Sequence, residues 1–440
     1  MVATPWGESE KMRGRRLSPG PGRKREEVER NQRDRLYGAM VALVADKGYE
    51  ATSVADLAEV SGVSTRTFYD LFADKKACFL SALEAMIEAA ISYAAEKDDE
   101  AQGALGGSRG GWEAQAKRSF DAFADMVVLQ PAAARMALVE TFAAGPEAMA
   151  PLQKAIEGFE WLARQTLAQS AERAGMPAEM VSAHIGAMRE IASTRLREGR
   201  QSELPGLMDE LWELIGSYRP PPEPLRLTER VPSPRAENME AQDHAERALR
   251  AFAVVAAEKG YAATTVSEVI SRAEMSATTF YAKFRGKEDA MAAAIDSAAA
   301  QIVAAVVPAF RRAPDWPEAV RAGFGALFNF QASRPALTQL LAVEVYAAGP
   351  AAVARRSAAM APLRELLAEG YGRSPQTPQI ATEAIAGGVS ALTYMTVRNK
   401  GTSALPHLAP ICTYIALAPF IGPEEACEVA NGDGRERAVS

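Results

Sequence analysis

The sequence predicts an all-α protein made of two tandem units, each a three-helix head followed by a larger helical part. Three observations predict this. Alanine is abundant and aromatic residues are only 7% of the chain, a balance that favours helix over sheet. Apolar residues recur at i, i+4, i+7 and i+8 where patterning is clearest, as at Leu36, Met40, Leu43 and Val44, which is the spacing of a buried helix face. Above all, the chain is written twice. GYEATSVADL from Gly48 returns as GYAATTVSEV from Gly260, 212 positions later, and STRTFYDLFADK from Ser64 returns as SATTFYAKFRGK from Ser276 at the same offset. Repetition of this kind defines the architecture before any single element does.

The elements then follow in order. From Lys11 to Arg25 there are seven basic residues and no acidic one, so residues 1–30 read as a basic disordered arm. Such an arm is either a solvated tail or a contact for phosphates or a minor groove. A helix-turn-helix domain occupies 31–77. Its first helix runs from about Arg33 to Lys47 and ends at Gly48, expected in a left-handed conformation. Ser53 and Asp56 fit a capping box for a short helix from Val54 to Val60. Ser61-Gly62 forms the turn, where Gly62 permits positive φ. Ser64 caps a third helix from Thr65 to Leu71. Two short helices joined by a Gly-containing turn form the helix-turn-helix pattern. Phe68, Leu71 and Phe72 face the core, leaving Thr65, Arg66, Thr67 and Tyr69 on the open side, residue types suited to phosphates and base edges. A long fourth helix begins near Asp74, with Lys75 in its first turn.

A larger helical domain follows over 78–217. Its later part pairs with the second copy at a smaller offset. VETFAAGP (Val139 to Pro146) matches VEVYAAGP (Val343 to Pro350), 204 positions on, and Trp112 and Phe120 match Trp316 and Phe324. Copy two therefore lacks eight residues, and the Gly-rich loop from Gly103 to Gly111 is where such a change costs least. Residues 218–240 are a Pro-rich linker. Extended at ~3.1 Å per residue, about twenty of these residues would span ~60 Å, enough to return the chain to the head end of copy two. The second helix-turn-helix domain occupies 241–289, a second helical domain 290–422, and residues 423–440 read as a disordered tail.

The block GYEATSVADLAEVSGVSTRTFYDLFADKKACFLSAL resembles the DNA-binding signature of the tetracycline-repressor (TetR) family, and each copy resembles one family unit. In that family the third helix reads the major groove. The resemblance implies that Ser64, Thr65, Arg66, Thr67 and Tyr69 face DNA and that Lys75 holds a phosphate. In copy two the same implication falls on Ser276, Thr278, Thr279, Tyr281 and Lys287. Copy two departs from the pattern at three places: Glu274 stands where Gly62 would, Ile270 for Ala58, and Thr278 for Arg66. Glu adds negative charge and loses the freedom of glycine at the turn. The second head is thus expected to bind DNA more weakly, to read another sequence, or to be purely structural.

FAAGPEAMAPL from Phe142 and MREIASTRLREGRQSELPGLMDELWELI resemble the family's regulatory domain, in which helices surround an apolar pocket and the last two helices build a four-helix bundle between protomers. The resemblance implies as pocket candidates Trp112, Phe120, Phe123, Met126, Met136, Phe142 and Trp161 in copy one. In copy two they are Trp316, Phe324, Phe328, Tyr346, Tyr394 and Met395. Aromatics at helical spacing are equally the makings of a core. The bundle surfaces fall on helices from about Ala178 to Glu198 and Gln379 to Lys400, followed by Leu207 to Ile215 and Ile411 to Pro419. Small residues Ala386, Gly387 and Gly388 permit close approach.

The net charge of −7 does not oppose DNA binding, because the location of the positive charge matters more than its sum. Three scattered cysteines exclude a disulfide framework, and the histidines lack zinc-ligand spacing. The N-terminus has no apolar core of a signal peptide. The stretch from Leu405 to Ile421 carries Pro406, Pro410 and Pro419 and reads poorly as a membrane span. The expectation is cytoplasmic. No nucleophile motif, phosphate loop or cofactor fingerprint appears, so neither an enzyme nor a cofactor is expected. The reading is a DNA-binding regulator, a repressor released by a small apolar effector. Its partners are double-stranded DNA and that effector. The two copies pair within one chain and place their reading helices ~34–36 Å apart, or two whole chains form a homodimer. The rival reading is a ligand-binding or protein-interaction module with a vestigial second helix-turn-helix.

Overall fold

The computed structural model describes residues 2–17, 24–104, 112–227 and 243–433. Apart from a two-stranded ribbon, β1 (Ala3–Thr4) and β2 (Gly7–Glu8), the described chain is built of helices and their connections. Copy one contributes α1 (Arg25–Lys47), α2 (Val54–Ser61), α3 (Thr65–Leu71), α4 (Lys75–Ala104), α5 (Trp112–Leu129), α6 (Pro131–Arg135), α7 (Met149–Leu167), α8 (Ala178–Glu198) and α9 (Leu204–Ser217). Copy two contributes α10 (His244–Lys259), α11 (Val266–Arg272), α12 (Ala277–Tyr281), α13 (Lys287–Arg311), α14 (Trp316–Ser333), α15 (Pro335–Gln339), α16 (Val345–Ala347), α17 (Pro350–Ala359), α18 (Ala361–Ala368), α19 (Ala381–Lys400), α20 (Ala409–Ile421) and α21 (Pro423–Asn431). A π-helical segment of five residues follows α6 (Met136–Glu140) and, at the matching place, α15 (Leu340–Glu344).

Two compact units form, and their boundary is not that of the repeat. The first holds residues 1–166 and 191–212, the second 167–190 and 213–440. The division expected at 217/218 is thus displaced: the first half of α8 and the end of α9 belong with copy two. Backbone approach explains why. A Cβ on Gly186 of α8 would lie 2.2 Å from the Ala391 Cβ of α19, and one on Gly388 would lie 2.9 Å from the Ala183 carbonyl oxygen. Such contact is open only to residues without a side chain.

In the first unit Leu36, Met40 and Val44 of α1 are fully buried with Leu57, Phe68, Phe79 and Leu83. The matching core of copy two in the second unit includes Phe252, Val269, Phe280, Met291 and Ile295. The helices Lys75–Lys97 and Lys287–Arg311 and the segment Thr402–Ile421 are long and apolar enough to cross a membrane. Ala294, Ile295, Ala298, Ile302 and Val306 of α13 lie in the core just described, and α20 buries Ile411 to Ala418.

Three segments expected to lack structure have it. Residues 2–17 do not form a free arm: Thr4 and Met12 are buried, Trp6 lies against Tyr37 with ring centroids 5.3 Å apart, and α1 starts at Arg25 rather than Arg33. The linker expected over 218–240 is fastened through Arg226. The Tyr218 hydroxyl donates to the Ile415 carbonyl at 2.7 Å, the Tyr414 hydroxyl donates to the Arg219 carbonyl at 2.9 Å, and the Arg226 amide donates to Asn431 Oδ1 at 2.8 Å. The tail expected from 423 is helical over Pro423–Asn431 and receives that strap. The loop at 105–111, the linker residues 228–242 and the tail 434–440 lie outside the described residues.

Candidate nucleic-acid interface

The two heads are assembled by the same local chemistry. Ser53 Oγ accepts the Asp56 amide at 3.2 Å, while Asp56 Oδ2 accepts the Ser53 amide at 2.8 Å. Thr265 and Glu268 form the same capping box on α11. This reciprocal cap satisfies two otherwise orphaned donors and fixes where the helix starts. The Lys47 ammonium beside Asp56 adds to this and holds its carboxyl well below the usual range.

The turn follows. Gly62 has φ 64° and ψ 24°, the left-handed conformation expected. Glu274 holds φ 48° at the matching place, the sole non-glycine residue with positive φ among the described residues. A side chain in that region costs ~1–2 kcal/mol. Gly48, by contrast, combines φ 83° with ψ 163°, a glycine conformation but not the left-handed helical one. Its amide still closes α1 on the Val44 carbonyl at 3.0 Å.

The third helix of each head, α3 and α12, is capped alike. Ser64 Oγ accepts the Thr67 amide at 3.1 Å and lies 2.9 Å from Thr67 Oγ1. Ser276 and Thr279 repeat this at 3.0 and 2.8 Å. Phe68 and Phe280 anchor the inner faces, fully buried. On the outer faces Thr65, Arg66 and Tyr69 are exposed in copy one, and Ala277, Thr278 and Tyr281 in copy two. Tyr69 and Tyr281 are each 57% exposed, an unusual setting for a tyrosine held on a rigid helix. Thr67 and Thr279 are half-buried, with their hydroxyls engaged by the caps. Asp70 is exposed on α3, while Lys283 and Arg285 are exposed just beyond α12.

Lys75 and Lys287 are placed otherwise than expected. The Lys75 ammonium donates to the Tyr49 carbonyl at 2.8 Å and sits 4.1 Å from the Tyr49 ring centroid. Lys287 does the same at the Tyr261 carbonyl (3.2 Å) and ring (4.3 Å). Partial burial lowers the Lys75 pKa and pushes Tyr49 up to about 12. An ammonium so tied braces α4 against the loop after α1, instead of projecting as a free phosphate ligand. The amide of the same tyrosine is held from the other side. Glu140, buried at the end of the π-helical segment, accepts the Tyr49 amide at 3.3 Å, and Glu344 accepts the Tyr261 amide at 2.7 Å. Burial raises the Glu140 pKa. Each head is thus pinned at one tyrosine backbone between its fourth helix and its larger helical part. The sequence hinted at this only through the repeated VE of VETFAAGP and VEVYAAGP.

The expected pocket aromatics do not form one class. Trp316, Phe324 and Phe328 are buried; the Trp316 indole donates to the Leu366 carbonyl at 3.0 Å and packs edge-on to Phe420. Tyr346 and Tyr394 meet edge to face at 5.6 Å, with the Arg356 guanidinium 5.0 Å above the Tyr346 ring. Phe120, Phe123 and Phe142 are half-buried, and Phe120 lies edge-on to Trp212 at 5.4 Å. Trp161 departs from the expectation: it is 59% exposed, because the inward face of α7 is taken by Leu152, Ile156 and Glu160. The Trp112 side chain lies outside the described residues.

A capped helix, a left-handed turn and a second capped helix with a polar outer face, present twice, define a helix-turn-helix DNA-binding regulator. The model of the bacterial regulatory proteins of the tetR family matches residues 37–82 and again 248–294. The chain thus carries the DNA-binding domain of that family twice, duplicated in tandem. No curated protein matches the chain. Among solved structures it is similar to the fatty acid degradation regulator FadR from Bacillus halodurans, at 16% identity over 41% of this chain and 96% of that one, with a TM-score of 0.36. It is also similar to the transcriptional regulator FadR from Bacillus subtilis in complex with stearoyl-CoA, at 18% identity over 41% of this chain and 96% of that one, with a TM-score of 0.36.

Proposed function

We propose that the chain is a cytoplasmic, ligand-released repressor that grips one operator as a single-chain pseudo-dimer, each copy reading one half-site. The observation that carries this is the retention, in both heads, of a capped reading helix with a polar outer face and an exposed tyrosine at the same register. A vestigial head would have no reason to keep Tyr281 in solvent. Thr65, Arg66 and Tyr69 contact the first half-site; Thr278 and Tyr281 contact the second. Arg66 supplies the forked donor suited to guanine. Copy two has Thr278 there, so the half-sites differ in sequence.

Pairing within one chain is supported by the seam in the second unit, where Gly186 and Ala187 of copy one meet Gly387, Gly388 and Ala391 of copy two. Release by a small apolar ligand is supported by the Glu140 and Glu344 bonds, which tie the loop beside each head to a π-helical segment of the larger part. Five-residue hydrogen-bond patterns of this kind occur often at functional sites. A ligand acts only if it prefers one orientation of that segment over the other.

Selection of bound sequences from a random DNA pool by the intact chain, at fixed moderate salt, tests the reading. Enrichment of two unlike half-sites at constant spacing supports it. A symmetric palindrome would sink the pseudo-dimer, and no enrichment would leave a protein-interaction module in its place.

A further inference from the structure

The segment before α1 docks on the first head, and it does so through a built socket. Met12 is fully buried, and its Sδ and Cε lie 2.8 and 2.4 Å from where a Cβ of Gly38 would be. Gly38 is thus the hole in α1 that receives Met12. In copy two the matching position is Arg250, which leaves no glycine gap and pairs with Glu246, and the position of Tyr37, on which Trp6 rests, is Leu249. No equivalent segment could seat there in the same way.

Docking carries two guanidinium groups to one end of α2, where Arg35 of α1 already stands. Arg13 Nε donates to the Glu59 carbonyl at 2.5 Å, Arg16 Nε donates to the Gly62 carbonyl at 3.1 Å, and Arg35 Nη1 donates to the Ser61 carbonyl at 2.8 Å. These are the carbonyls a helix C-terminus leaves unsatisfied, at the negative end of its dipole. Copy two closes the same end with its own backbone: the Glu274 and Met275 amides donate to the Ser271 and Ile270 carbonyls, both at 3.2 Å. Its arginine at the place of Arg35, Arg247, bonds to His244 Nδ1 instead.

The consequence is a difference in charge beside the reading helices. Gly62 is two residues before Ser64, the cap of α3, and Arg13 and Arg16 are exposed there, while Arg15 is exposed on the same segment with its guanidinium against Gly7. Arg13 also has Glu59 3.8 Å away. Burial and then the charge of Arg16 lower the Arg35 pKa. At the matching turn copy two carries Glu274 and an Arg272 that is paired with Glu258 at 2.7 Å, while Lys283 and Arg285 stand at the other end of the reading helix.

We propose that residues 2–17 are an integral lobe of the first DNA-binding head, and that Arg13, Arg15 and Arg16 hold the phosphate backbone beside the first half-site. The two heads then grip DNA with opposite polarity. The first is charged at the start of its reading helix, the second at the end, so the first half-site carries the larger electrostatic share. This rests on the reading of the chain as a DNA-binding regulator.

The test is the salt dependence of affinity for a duplex selected by the wild-type chain, measured on full-length protein. Each phosphate contact contributes a slope of about −0.9 in log K against log salt. Arg13→Gln/Arg15→Gln/Arg16→Gln is expected to reduce the slope by about 2–3. The triple lysine variant keeps the charge but loses the forked carbonyl contacts, and it is expected to restore the slope. That separates phosphate contact from a purely structural clasp, which lysine would not rescue. A wild type that binds with a slope unchanged in the glutamine variant overturns the proposal and leaves the DNA-binding reading standing. A wild type that binds no duplex overturns both.

Discussion

Replacing Gly186 with alanine places a methyl group where the two copies meet most closely. The new Cβ would stand 2.2 Å from the Ala391 Cβ, whereas carbons rest at ~3.5–4.0 Å. Neither atom can rotate away, because each is fixed to its backbone. The helices must part locally by more than ~1 Å, an overpacking that costs ~1–3 kcal/mol, with this case at the upper end. The higher helix propensity of alanine returns ~1 kcal/mol. The net destabilisation is ~2 kcal/mol, or a fall in Tm of ~4–8 °C for a unit of this size. Gly325→Ala supplies the opposite sign. It lies within α14, and nothing comes inside 4 Å of the point its new methyl group would occupy, so it should stabilise by ~0.5–1 kcal/mol. Thermal unfolding of both full-length variants decides the matter. If Gly186→Ala melts at or above the wild type, as Gly325→Ala should, the seam between α8 and α19 is not close-packed and the argument for pairing through it fails.

Other outcomes follow from particular residues. Glu274→Gly relieves a positive φ and should stabilise the second head by ~1 kcal/mol, read as a higher urea midpoint at unchanged slope; no shift would show that Glu274 is unstrained. His184 is held at a pKa of about 4, against 6.5, by burial and then by the charge of Arg173. The unfolded chain therefore binds the extra proton first, and stability present above pH ~6.5 is lost progressively as pH falls towards ~4, by an amount of order 2–3 kcal/mol. His184→Gln should flatten the dependence of the urea midpoint on pH across that window. Arg66→Ala should cost ~1–3 kcal/mol of operator binding and relax sequence preference in one half-site only, a result visible by repeating the selection with the variant. Equal relaxation of both half-sites would mean that the first head reads both.

What the sequence made legible was local. The bounds of α3 and α8 match the expected ones, and α2 differs by one residue, because caps and helix-ending residues act within a turn of where they stand. The Ser53–Asp56 capping box and the left-handed Gly62 were readable for the same reason. What it hid was long-range. Nothing near Lys75 in sequence says that its ammonium is held by Tyr49, and nothing near Met12 announces the hole at Gly38. The unit boundary inside α8 depends on glycines of the other copy. Lys11 to Arg25 read as a tail because charge was weighed and the apolar Trp6 and Met12 were not. Helix α21 did leave a signal: Pro423 at its start, Glu424 and Glu425 in its first turn, and Gly432 just past its end, which is the asymmetry helices favour. Thr67 and Thr279 were assigned to DNA, although the Ser-x-x-Thr spacing also allows the cap they form.

The mass of the complex on a selected operator tests the central claim most directly. One 47.1 kDa chain on a duplex carrying both half-sites, seen by native mass spectrometry at low protein concentration, is the predicted result. Two chains on that duplex, with none of the one-chain species at any ratio, would contradict it.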